Sequence, residues 1–240
     1  MAKPVDHKPH STNHMPPTAP SSIIYLNKPL VFVLMDGLYF VIPAYNEQRS
    51  IGQVISNLKN AGYTNFVVVD DGSTDNTSRI AKKTGAIVLH HIVNRGQGAA
   101  LQTGIKYALF QGAQYIVTFD SDNQHRVEDL PNMLRQVIEG RADITLGSRF
   151  LRTEYAKSVP FVRRVLLKGS LLIQFLFYGI RLTDVHNGYR VMSRKAAQKI
   201  EITCDRMAHA SEIVEEIMKK NLKFKEIPVK INYNVRRGNG

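Results

Sequence analysis

Two aspartates separated by a single serine, Asp120 and Asp122 in the stretch FDSDNQH (119–125), make the strongest chemical suggestion in this chain. They close an apolar run, YIVTF (115–119), which has the character of a buried strand, so both carboxylates fall where a strand gives way to a loop. Carboxylates placed there can converge on a hard divalent cation such as Mg2+ or Mn2+, which prefers oxygen ligands and also binds phosphate. Such a cation would neutralise a diphosphate leaving group. Asp-x-Asp by itself equally describes an ordinary polar loop, so the neighbouring motifs have to decide.

Three further polar clusters sit in comparable places. PAYNE (43–47) ends one apolar run, and DDGSTD (70–75) ends another, with Gly72 permitting a tight turn and Ser73, Thr74 or Asp75 suited to capping a helix. NRGQG (94–98) sets flexible backbone and a cation ahead of a helix amino terminus, a placement that suits phosphate. His125, His186 and His209 share no metal-ligand spacing and read as positional or structural.

The elements that must hold these clusters follow from the apolar pattern. Strands are expected over 38–42, 66–69, 86–90, 115–119 and 144–146, and helices over 47–61, 75–83, 98–111 and 127–139, the last with Pro131 in its first turns. This alternation predicts an α/β fold: a single Rossmann-like domain with a mostly parallel central sheet and helices on both faces. In such sheets sites lie outside the carboxyl ends of the strands, where every one of the clusters falls.

Composition narrows the partners. The 240 residues are 43% hydrophobic, enough for one substantial core, and 32 Lys and Arg against 20 Asp and Glu give a net charge of +12. That balance favours polyanions, whether nucleic acid, sugar nucleotides, lipid phosphates or an anionic membrane surface, and charge alone does not choose among them. Nucleic acid is not expected, because the basic residues are dispersed and no base-stacking motif accompanies them. Cys204 is the only cysteine, which excludes an intrachain disulfide and fits a cytoplasmic setting.

Residues 1–22, rich in Pro, Ser, Thr and His, read as a disordered tail, and 23–37 as an N-terminal extension or hairpin strand, with Asp36-Gly37 favouring a type I′ turn into the run 38–42. The main domain spans 38–240. Within it, 159–180 places Arg163, Arg164 and Lys168 ahead of an apolar run, 171–180, that is too short to cross a bilayer, for which about 20 residues are needed. It is a candidate interfacial segment, or else a core helix or self-association surface.

Taken together, VIPAYNE, VVVDDGSTDNT, NRGQGAALQTGI, FDSDNQH and LGSRF, in this order and spacing, resemble the family 2 glycosyltransferases of the GT-A fold over about residues 38–235. The later segments TDVHNGYRVMSRKAA and EIPVKINYNVRRG look most like the dolichyl-phosphate mannosyltransferase and polyprenyl-phosphate glycosyltransferase branch. Tyr189 stands where that pattern usually has Phe, and after Arg237 the chain stops at Gly240, where the branch continues with a short polar motif.

The resemblance implies roles. Pro43, Tyr45 and Glu47 would hold the nucleotide base, with Val69 and Asp71 beside base and ribose. Asp120, Ser121 and Asp122 would face ribose and diphosphate, and Asp120, Asp122 and Gln124 would surround Mg2+ or Mn2+. Arg236 or Arg237 would cover the diphosphate. Asp122, Arg149, Asp184 and Arg190 form the implied catalytic set, Arg149 approaching the sugar or the acceptor phosphate. The implied reaction is inverting transfer from a GDP- or UDP-linked sugar to a polyprenyl phosphate, at the cytosolic face of a membrane reached directly or through a membrane-anchored partner. A phosphate acceptor is already anionic, so positioning and charge screening would matter more than a base. A saccharide or protein hydroxyl acceptor is the alternative and would need a base, Asp184 or Glu212. A non-catalytic nucleotide-binding module is the other reading.

Overall fold

Strand runs of Val, Ile and Phe alternate with helices that bury residues at helical spacing, and the fold follows from matching the two. The structure, a computed structural model, describes residues 23–26, 31–34, 37–152 and 182–233. The expected tail 1–22, the segment 159–180, and Arg236 and Arg237 lie outside the described residues.

In chain order the elements are β1 (Ile23–Leu26), β2 (Val31–Leu34), β3 (Leu38–Ala44), α1 (Ile51–Asn60), β4 (Asn65–Asp70), α2 (Thr77–Lys83), β5 (Ile87–His90), α3 (Gln97–Phe110) and β6 (Tyr115–Thr118). A short 3-10 turn, Val127–Asp129, leads into α4 (Leu130–Ile138), followed by β7 (Ile144–Ser148). After the gap in the described residues come β8 (Arg190–Ser193), α5 (Arg194–Lys199), α6 (His209–Lys219) and β9 (Phe224–Pro228).

Seven strands form one sheet in the order β5-β4-β3-β6-β8-β7-β9, and β8 alone runs antiparallel to its neighbours. The hairpin expected across Asp36-Gly37 does not form. Both edges of β3 are taken by parallel partners, β4 and β6, and β2 instead pairs antiparallel with β1 in a separate two-stranded sheet.

The two faces of the large sheet bury two cores. Side chains alternate along β3 with a period of two, so Phe40 and Ile42 join α1 and α4 on one face, while Val41 joins α3, α5 and α6 on the other. Three helices bury the same i, i+3, i+4, i+7 stripe: Ile51, Val54, Ile55 and Leu58 in α1; Leu130, Met133, Leu134 and Val137 in α4; Ala210, Ile213, Val214 and Ile217 in α6.

Helix α3 lies unusually close to β3, and Gly104 is the reason it can. A Cβ there would fall 2.3 Å from Val41 Cγ1 and 3.1 Å from Val69 Cγ2. The helix-propensity gain of a Gly104→Ala change, about 1 kcal/mol, is outweighed by overpacking, which costs about 1–3 kcal/mol where the backbone must shift. Urea unfolding of Gly104→Ala should therefore show a lower midpoint with an unchanged slope; an equal or higher midpoint would show that the contact is slack.

Candidate active site

The sheet's strand order reverses at β3, whose neighbours β4 and β6 continue the sheet in opposite directions, and a cleft of about 500 Å³ opens at the carboxyl ends there. Pro43, Tyr45, Glu47 and Asp71 line one end of it. Asp120, Ser121, Asp122 and Gln124 line the middle, and Arg190 and His209 the end toward β8.

Hydrogen bonds between loops far apart in sequence shape the first end. Asn46 adopts a left-handed conformation (φ 54°), accepts from the Thr74 amide at 2.9 Å and donates its own amide to Ser73 Oγ at 2.9 Å. The amides of Glu47 and Gln48 reach Thr77 Oγ1 (2.7 Å) and Asp75 Oδ2 (3.1 Å), so the loops after β3 and β4 are stitched together. Asp71 is 3% exposed, and its carboxylate accepts from the amides of Arg95 (3.0 Å) and Gly96 (2.6 Å) and meets His91 Nδ1 at 2.6 Å. It borders the cleft chiefly as the clamp that holds the loop before α3.

That loop does not offer the phosphate site suggested by its sequence. The amides of Gly98 and Ala99, which a helix amino terminus leaves for an anion, both donate to the Asp205 carbonyl (2.8 and 3.2 Å). Gly98 lies so close to the 203–206 segment that a Cβ would come within 2.0 Å of the Cys204 carbonyl oxygen.

Asp120 keeps about 30% of its side chain exposed, and His125 Nε2 stands 2.9 Å from its Oδ2 while Gln97 Nε2 donates to Oδ1 at 3.2 Å. Burial opposes its ionisation, but the charge and hydrogen bond of His125 and the charge of Arg190 outweigh it, holding the carboxyl below its usual range. His125 is fixed in turn by edge-on contact with Phe119 (5.2 Å between ring centres) and packing against Tyr189 (4.9 Å). Asp122 Oδ1 accepts from the Gln124 amide at 3.1 Å. Among the described residues no group of three or more His, Cys, Asp or Glu could hold a metal ion. Asp120 and Asp122 both line the cleft, and two carboxylates are the donor set of a cation such as Mg2+ that takes one or two protein carboxylates and keeps several waters.

Four expected roles need correction. Val69 is wholly buried, packed in the core with Val67 and Ala100, and does not reach the cleft. Arg149 and Asp184 are not in the cleft lining; they bind each other, Arg149 Nε and Nη2 each at 2.6 Å from a different Asp184 oxygen, with the Arg149 amide adding a third bond at 3.0 Å. Burial alone would lower the Arg149 pKa, but the hydrogen bonds and charge of Asp184 raise it above its ordinary value, and the two side chains are committed to each other. Glu212 is likewise engaged, accepting from Thr203 and from the Cys204 amide.

Arg190 is where the motif suggested, 2% exposed, its Nη2 donating to the Val185 carbonyl at 3.3 Å. Burial pulls its pKa down to about 10, against the opposing charges of Asp120 and Asp184, so it stays cationic at neutral pH. Gln97, Gly188 and His209 were not foreseen as site residues. Gln97 lay within a noted motif, whereas the approach of Gly188 to Asp120 and the place of His209 depend on contacts between segments with no common sequence signal.

A family model described as Glycosyl transferase family 2 matches residues 39–201. An uncharacterised protein of Methanocaldococcus jannaschii is 43% identical over 208 residues, covering 85% of this chain and 86% of its own. The UDP-N-acetylglucosamine–dolichyl-phosphate N-acetylglucosaminyltransferase of Methanococcus voltae is 33% identical over 223 residues, covering 84% and 89%. Among solved structures, the glucosyl-3-phosphoglycerate synthase of Mycobacterium tuberculosis with Mn2+ and UDP-glucose superposes with a TM-score of 0.58 at 20% identity, over 81% of this chain and 70% of that one. That likeness is one of fold.

Two substitutions test this geometry. A Cβ on Gly188 would fall 2.3 Å from Asp120 Oδ1, so Gly188→Ala should weaken Mn2+-dependent nucleotide binding about tenfold or more in calorimetric titration, with the circular dichroism spectrum unchanged; unaltered binding would show that Asp120 can move freely. The buried Tyr189 hydroxyl has no hydrogen-bond partner among the described residues. Tyr189→Phe should consequently raise stability by about 1 kcal/mol in denaturant unfolding, and a loss of stability would reveal a partner for that hydroxyl.

Proposed function

This chain belongs to glycosyl transferase family 2 and has the GT-A fold, and from that premise we propose that it transfers a sugar from a nucleotide sugar to a polyprenyl phosphate of dolichyl type, with inversion at the anomeric carbon. The observation that carries the acceptor class is the state of the candidate bases. Asp184 is bound by the Arg149 guanidinium and amide, and Glu212 by the 203–204 turn. A hydroxyl acceptor would require one of them to take a proton; an anionic phosphate requires neither. The Methanococcus voltae relative, named for a dolichyl-phosphate acceptor and a UDP-linked donor, supports the same reading.

The cleft divides the work along its length. Pro43, Tyr45 and Glu47 face the nucleoside, and the Asp71 clamp sets the neighbouring wall. Asp120 and Asp122, with Gln124 beside them, would hold Mg2+ or Mn2+, and the bound ion would offset charge on the departing diphosphate. Gln97 and His125 orient the Asp120 carboxylate from either side. Arg190 keeps a permanent positive charge at the end where acceptor phosphate and sugar meet, and its burial strengthens that field.

Among the described residues no helix is long and apolar enough to cross a membrane. Contact with the cytosolic face is proposed through the basic and apolar segment 159–180, or through a membrane-anchored partner.

The test is transfer from UDP-N-acetylglucosamine or GDP-mannose to a short-chain polyprenyl phosphate. Chelation should abolish product formation and Mn2+ restore it, and Asp120→Ala and Asp122→Ala should each lower turnover by about a hundredfold or more. Proton NMR of the product should show the opposite anomeric configuration to the donor. Retention, or turnover indifferent to chelator, would overturn the mechanism.

A further inference from the structure

The end of the cleft nearest β8 carries a histidine that the reaction as described leaves without a task, beside an arginine of which only the charge has been used. His209, the first residue of α6, is 3% exposed and lines the cleft. Its Nδ1 lies 2.8 Å from the Arg206 carbonyl oxygen. A carbonyl only accepts, so Nδ1 carries the hydrogen, and in the neutral ring Nε2 presents a lone pair. Burial and the charge of Arg190 lower the pKa of this imidazole, which keeps the lone pair available at neutral pH. Gly98 packs close to its base: a Cβ there would come within 2.9 Å of His209 Cβ. Nε2 makes no hydrogen bond to any described residue.

Arg190 supplies the complementary half. Its Nη2 is engaged with the Val185 carbonyl, but its buried Nη1 has no hydrogen-bond partner among the described residues. Leaving a buried donor unpaired is costly, and such groups persist where a ligand completes them. The residues that carry this acceptor and this cationic donor both line the cleft.

That pair selects among ligand groups. A phosphate oxygen would satisfy Arg190 but brings no hydrogen for Nε2, and an apolar group would satisfy neither. A hydroxyl does both, accepting from one and donating to the other. The order of the cleft says which hydroxyl. The nucleoside end lies at β3 and β4 and the metal carboxylates follow β6, so the β8 end lies beyond the diphosphate, where the sugar must be.

We propose that His209 and Arg190 together read one hydroxyl of the transferred sugar, Nε2 of His209 accepting its hydrogen and Nη1 of Arg190 donating to its oxygen. The assignment rests on the nucleotide-sugar reading above and adds to it a residue that distinguishes a donor from its bare nucleotide. His209 is thus a specificity residue, and its loss is felt by the sugar alone.

Calorimetric titration of the full chain in Mn2+ with UDP, UDP-N-acetylglucosamine, GDP and GDP-mannose separates the possibilities. In His209→Ala, affinity for the bare nucleotide that the unaltered protein prefers should stay within about twofold, while affinity for its sugar-linked form should fall about tenfold. His209→Gln, whose amide oxygen can accept in place of Nε2, should recover most of that loss. Equal weakening of nucleotide and nucleotide sugar, weakening of neither, or a Gln variant no better than Ala would overturn the assignment. Failure of the unaltered protein to bind any of the four would instead overturn the donor reading on which it rests. Unfolding midpoints of both variants identify any loss due to misfolding, and the Gln variant then decides.

Discussion

A carboxylate withdrawn from water must be met by hydrogen-bond donors, and in this protein those donors are mostly main-chain amides of loops distant in sequence. Asp71 takes the amides of Arg95 and Gly96, Asp184 that of Arg149, Glu226 those of Thr183 and Asp184, Glu212 those of Thr203 and Cys204, and Asp129 that of Lys230. Each bond to a charged acceptor contributes about 1.5–3 kcal/mol. The layer of loops at the sheet's carboxyl edge is thereby held by its acidic residues rather than by apolar packing alone. Parallel strands that end in open loops need such ties, because neighbouring loops share no ladder of their own.

Asp120 departs from this rule, and the departure distinguishes it. Among the described residues its oxygens are met only by side chains, Gln97 and His125, and a third of it faces the cleft. It is oriented without being consumed. The same accounting explains the start of α3, where the Gly98 and Ala99 amides are both taken by the Asp205 carbonyl.

The sequence made the architecture plain and the division of labour only partly so. Alternating apolar runs located β3, β4, β6 and the helices between them to within a few residues, because periodicity is a local property. The Asp-x-Asp pair and Arg190 line the cleft. Asp184 and Glu212 resembled reactive acids equally well, since a carboxylate that ties a loop and one that binds a ligand are the same residue in the same kind of segment. What separates them is a partner found elsewhere in the chain, such as Arg149 for Asp184. Val69 illustrates the converse. It stands beside a functional loop, but the pleat turns it into the core.

The antiparallel strand β8 has a consequence for how the molecule comes into being. Among the described residues it is the only strand that pairs with both β6 and β7, so there it alone joins the amino-terminal half of the sheet to β7 and β9. During synthesis β6 and β7 both leave the ribosome well before β8, and the edges they are to share with it stay unpaired until it arrives. Arg190 is the first residue of that strand, registered against Thr118 on one side and Leu146 on the other. A nascent chain that has not yet released residue 193 is therefore a sheet with a raw edge and a cleft without its buried cation, and closing the one supplies the other.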